Sequence, residues 1–195
     1  SGFVVCANHG LGPDLSWDFT SGIRAQRIER LLAEQKQHDW RSFAKIQMDI
    51  FSSPARRFAD LCLRLPDFPH SWMLQDLRGW DGNMRADSRP ALLAAVGLLC
   101  LTQLALPEEW RGIFLGPDTH HPLLKRGGHL SRLQPWVLHW VESEPGKIGL
   151  VAEALQLAHD RLSRKLGHPG SWNWGRVHGL RLPFGRWLPL DGDAD

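Results

Sequence analysis

The chain has 195 residues, with 23 basic against 21 acidic side chains and a formal net charge of +2. That length suits one domain, or part of a larger one, with a sizeable core. The near-even charge gives no global reason to expect nucleic acid or an anionic membrane as partner. Ten Trp beside no Tyr supply large core side chains and indole faces able to line an apolar cleft. Cys6, Cys62 and Cys100 are odd in number, far apart and set in apolar contexts. They read as small core hydrophobes rather than as a disulfide framework or metal ligands.

In chain order, Gly2-Phe3-Val4-Val5-Cys6-Ala7 predicts a strand buried on both faces, ending on the side-chain amide of Asn8. A loop rich in glycine follows, through Gly10, Gly12, Pro13 and Gly22. Ile28, Leu31 and Leu32 place an apolar stripe on a helix of about a dozen residues with Arg24 near its start. Asp39 or Ser42 caps a second helix, with Phe43, Ile46 and Ile50 facing inward, and Pro54 kinks or restarts it. Phe58, Leu61, Cys62 and Leu65 keep helical spacing as far as Pro66. Ser88 and Pro90 open the apolar run from Ala91 to Leu106, which contains Thr102 and Gln103. It falls short of the roughly 20 residues of a spanning segment, so it predicts a buried helix. Residues 107–135, with their Pro and Gly, read as irregular. Ile148, Val151, Leu155, Leu162 and Leu166 mark a last helix stopped by Gly167 and Pro169, and from Trp172 the pattern turns extended. The expectation is an α+β arrangement: a mainly helical block with short strands at both ends.

Several groups with chemical potential fail on spacing. His120, His121 and His129 flank a Gly-rich turn with no Cys or carboxylate at metal-ligand spacing, which predicts loop histidines rather than a zinc site. Gly127-Gly128 lacks the strand, the further glycines and the Lys-Ser/Thr pair of a phosphate loop. Arg56-Arg57 reads as a solvated helix face, and no Gly-x-Ser-x-Gly elbow is present. Asn8 and Arg24 stand apart. An amide at a strand end and a guanidinium at a helix start are groups that can be held rigidly against a developing oxyanion. They bring polarisation and no evident nucleophile; the plainer alternatives are a turn-forming Asn and an Arg pairing with Asp18 or Glu29.

Three segments are more specific in combination: Ala7-Asn8 before Arg24-Ala25-Gln26-Arg27-Ile28, then Trp80-Asp81-Gly82, then Trp172-Asn173-Trp174-Gly175-Arg176-Val177-His178, with fitting helix lengths between them that include the step Gln47-x-Asp49-x-x-Ser52. In that order, over nearly the whole chain, the sequence resembles the penicillin acylase (penicillin amidase) family of N-terminal-nucleophile hydrolases, in the later part of their β chain. The resemblance implies the helical portion of an αββα sandwich. It also implies an N-terminal Ser nucleophile whose own α-amino group serves as base, with an acyl-enzyme that water hydrolyses. On this resemblance Asn8 matches the side-chain oxyanion donor and Arg24 the arginine supporting that site. Asp14 or Asp18 falls where calcium-binding relatives carry one carboxylate ligand, so Asp14 is a candidate for a structural calcium; no other cofactor is implied. Trp80-Asp81-Gly82 and the Trp172–His178 segment are expected to serve architecture rather than chemistry.

Ser1 is not expected to be the nucleophile. An extended chain advances at most about 3.5 Å per residue, which sets Ser1 and Asn8 some 20 Å apart on a straight strand. An oxyanion donor instead lies about 3 Å from the atom it stabilises. Residues 1–195 are therefore expected to be a partial acylase-like β-chain domain, truncated at both ends, whose partners are an α chain, the earlier part of the β chain and a small-molecule amide. By resemblance the substrates would be penicillins, cephalosporin side chains or N-acyl homoserine lactones, and the location periplasmic or secreted. The rival reading is a catalytically inactive helical scaffold derived from the same fold. A hydrolase built on His178 with Asp81 lacks a nucleophile.

Overall fold

The structure, a computed structural model, describes residues 2–7, 22–109 and 127–178, with side chains in the last stretch from residue 133. Seven helices are described: α1 (Ile23–Ala33), α2 (Trp40–Gln47), α3 (Ser53–Cys62), α4 (Ser71–Arg78), α5 (Arg89–Ala105), α6 (Gly127–Ser143) and α7 (Ile148–Leu166). Single 3₁₀ turns cover Pro145–Lys147, Pro169–Ser171 and Trp174–Arg176.

The core is organised around α5. Its run of Ala, Leu and Val is apolar on all sides, as a helix must be when neighbours surround it, and α3, α4, α6 and α7 pack about it. Phe58, Met73, Leu77, Leu138, Leu155 and Leu162 close over it with 0% exposure. Gly97 lets α5 come close to α3, because a Cβ there would overlap the Phe58 ring. The one buried polar side chain of this helix, Thr102, donates its hydroxyl to the Leu98 carbonyl at 2.8 Å, which satisfies it without leaving the helix. Helix starts follow the caps in the sequence. Ser88 accepts from Ala91 N at 3.2 Å, and Ser52 accepts from Ala55 N at 3.4 Å just ahead of Pro54, so proline restarts rather than kinks the chain. Asp39 and Ser42 act together. Asp39 Oδ1 accepts from Ser42 N at 2.8 Å while Ser42 Oγ accepts from Asp39 N at 3.0 Å.

The expected strands are absent among the described residues, where backbone pairing outside helices includes an isolated antiparallel bridge between Phe51 and Asn83. Residues 2–6 carry no regular structure. Val5 and Ala7 turn inward while Val4 is 92% exposed, so this segment is buried on one face rather than two. A strand needs a neighbouring strand to pair with, and no strand or bridge is formed by this segment among the described residues. At the other end, Trp172–His178 winds through a 3₁₀ turn instead of extending.

Further departures concern helices. The spacing that ran to Pro66 ends at Cys62. The stretch read as irregular to residue 135 already turns helical at Gly127, and Pro135 lies inside α6. Burial of Leu138 and Val141 in the core overrides the weak local propensity. Phe43 and Ile50 are 49% and 44% exposed rather than inward, and only Ile46 of that trio packs against a buried cluster. Cys62 and Cys100 are buried as expected, but Cys6 is exposed. Arg56 and Arg57 are not a solvated face either. Arg56 bonds the Trp80 carbonyl and Asp60, and Arg57 pairs with Glu142 of α6.

Candidate functional site

The site begins with α1. Ala25 and Leu32 pack with Val5 and Ala7 into a small cluster separate from the main core, with Ile28 and Ile46 at its margin. Arg24 and Arg27, three positions apart and so on one helix face, both line a cleft of about 870 Å³ between α1, the end of α2 and the start of α3. Ile28, Leu31, Ile46, Phe51 and Met84 give it an apolar wall, and Gln47, Gln134 and His178 place polar groups at it. An apolar cleft with a few convergent polar groups, in this size range, is the usual form of a small-molecule site. Arg24 is exposed, with no ion pair to Glu29 among the described residues.

Arg27 is held firmly. Its Nε and Nη2 donate to Asp49 Oδ2 and Oδ1 at 2.9 and 2.7 Å, and its guanidinium lies 4.5 Å from the centre of the Phe51 ring. The paired hydrogen bonds hold the Asp49 carboxyl below the usual carboxylate range and the Arg27 guanidinium above its own ordinary value. Phe51 in turn lies against Gly82. Gly82 is buried at φ +85°, and a Cβ there would overlap the Phe51 ring. Backbone bonds on either side complete the clamp, Ser52 N to Gly82 O and Met84 N to Ile50 O, both 2.9 Å.

The Trp80-Asp81-Gly82 motif is the rigid half of that clamp. Trp80 is buried and donates Nε1 to the Asn83 carbonyl at 2.9 Å. Asp81 accepts from Asn83 N at 2.9 Å, Asn83 Nδ2 at 2.8 Å and Arg85 Nη1 at 2.8 Å. These donors, the Asn83 amide first, lower its pKa to about 2. Asp81 is thus committed to the turn, which removes the partner that a His178-based hydrolase would need.

The second tryptophan-rich segment closes the far side. Trp174 N donates to Ser88 O at 3.0 Å and Gly175 N to Ala86 O at 2.7 Å, which ties it to the start of α5. Asn173 caps the 3₁₀ turn through Arg176 N at 3.1 Å. Trp174 then stacks on His178 with ring centres 4.6 Å apart, and both side chains face the cleft.

Of the residues singled out from sequence, Arg24, Gln47, Asp49, Ser52, Trp174 and His178 are brought to one cleft. Asn8, Asp14, Asp18, Ser1, His120 and His121 lie outside the described residues, as does the side chain of His129. The Arg27–Asp49 pair and its aromatic support escaped the sequence reading, because partners 22 positions apart leave no local spacing signal. Among the described residues there is no group of three or more His, Cys, Asp or Glu able to hold a metal, and no helix is long and apolar enough to cross a membrane.

The family model for penicillin amidases matches residues 1–195. The chain therefore belongs to the penicillin amidase family. A search of curated proteins finds no match.

Proposed function

We propose that this chain forms the oxyanion side of an amide hydrolase, one that cleaves a linear amide of the penicillin, cephalosporin side-chain or N-acyl homoserine lactone type. In this reading Asn8 donates its side-chain N–H to the oxygen that becomes negative as the amide carbon turns tetrahedral. Arg24 adds a fixed positive charge behind it. The attacking N-terminal serine and its α-amino base are supplied from elsewhere in the enzyme, together with an α chain. The chemistry calls for no organic cofactor, and Asp14 would be one carboxylate ligand of a structural calcium. A periplasmic or secreted location belongs to the same reading.

The observation that carries it is convergence. Arg24, the Gln47–Ser52 step and Trp174–His178 are far apart in sequence and line one cleft, with Arg24 exposed at it. Nothing about core packing alone requires an exposed arginine beside that apolar wall.

The test uses the complete enzyme and a panel of chromogenic acyl anilides. Asn8→Ala is expected to lower kcat about 100- to 1,000-fold and Arg24→Ala about 100-fold, the scale of losing one preorganised oxyanion group. Turnover within a few-fold of the parent in both variants would refute the assignment. A well-folded parent that hydrolyses none of the panel would instead favour the inactive scaffold.

A further inference from the structure

We infer that Arg27 and Asp49 are positioning residues for Arg24, through a strut that runs from α1 into the core; the inference rests on the reading of Arg24 above. The main helix-to-helix contacts among the described residues all lie within α3–α7 and the 3₁₀ turns, and none involves α1 or α2. Among the described residues α1 packs on a small apolar cluster separate from the main core, a non-directional contact over which a helix can slide or roll. Direction comes from Arg27. Its fork grips both oxygens of Asp49, and its face rests on Phe51. Phe51 is bridged to Asn83 and pressed on Gly82. The Asn83 carbonyl takes the indole N–H of Trp80, which belongs to the main core.

Arg24 sits three residues before Arg27, about 4.5 Å along the helix axis and just under one turn, so any shift of the strut is carried to it almost undiminished. Arg27 itself holds rather than binds. Two of its three nitrogens are engaged by Asp49 and its face by Phe51, whereas Arg24 is exposed. A bidentate pair fixes an angle as well as a distance, which a lysine in the same place would not do.

The experiment is a double-mutant cycle in the complete enzyme, with kcat expressed per active site titrated by a serine-directed acylating reagent. That normalisation means loss of folded protein does not register as loss of kcat. Asp49→Ala and Arg27→Lys are each expected to lower kcat about 10- to 100-fold, the cost of misplacing a catalytic group by about 1 Å, with KM nearly unchanged. The double variant of Arg24→Ala with Asp49→Ala is expected to be no slower than Arg24→Ala alone, since both changes remove the same contribution. Multiplying effects, an unchanged kcat in Asp49→Ala, or a loss confined to KM would each overturn the inference while leaving Arg24 in its role. An Arg24→Ala variant of undiminished kcat would overturn the role of Arg24 itself.

Discussion

Replacing Gly82 by alanine tests the clamp directly. Two costs add. The residue sits at φ +85°, where an L side chain loses about 1–2 kcal/mol relative to glycine. The new methyl would also overlap two carbons of the Phe51 ring and lie 3.2 Å from a third. Gly82 is buried but Phe51 only half-buried, so the ring can yield in part, at a cost of about 1–3 kcal/mol. Together the loss is about 2–5 kcal/mol, which for a chain of this size lowers Tm by about 4–20 °C. Thermal unfolding of the purified protein, followed by far-UV circular dichroism, reads this out. Gly79→Ala is the control, since its φ is an ordinary −81° and a Cβ there meets nothing nearer than 4.0 Å. Adding Phe51→Ala to Gly82→Ala removes the overlap, so the two changes together should cost less than their sum. A Gly82→Ala protein that melts with the Gly79→Ala control would show that neither the backbone conformation nor the Phe51 contact constrains this turn.

Two further outcomes are expected. Gly97→Ala should destabilise by about 1–3 kcal/mol although alanine is the better helix former, because the methyl meets the Phe58 ring between α5 and α3; denaturant titration that showed a gain would disprove that close approach. His70 and His159 stack with ring centres 3.8 Å apart, and burial, then the neighbouring His159, holds the His70 pKa below its ordinary 6.5, partly offset by Asp160. The unfolded chain then binds more protons than the folded one just below pH 6.5. This contribution to stability is therefore intact above 6.5 and lost as pH falls from there through the lowered folded value. Melting temperatures at pH 7 and pH 5.5 should accordingly drop further for the parent than for His70→Gln, and equal drops would refute the coupling.

How far the site was readable depends on the range of the signal. Arg24 at a helix start, the Asp39–Ser42 cap, Pro54 opening α3 and the limits of α5 are all set within a turn or two of chain, by caps, prolines and apolar periodicity, and these appear where local physics puts them. Helices α4 and α6 were illegible because their local signals are poor. His70 makes no side-chain cap for α4, α6 opens on two glycines and contains Pro135, and packing against α3 and α5 holds both in place.

The sequence by itself determined the family and the central apolar helix, and it put forward Asn8 and Arg24 as the proposed polarising groups, since composition, order and spacing are properties of the chain alone. Tertiary structure decided which of them meet. Arg27 finds Asp49 across 22 positions, Phe51 finds Gly82 across 31, and Trp174 finds Ser88 across 86, and no local pattern encodes such pairs. It also decided that the two ends are not strands among the described residues, because a strand exists only where another backbone is present to accept and donate its hydrogen bonds.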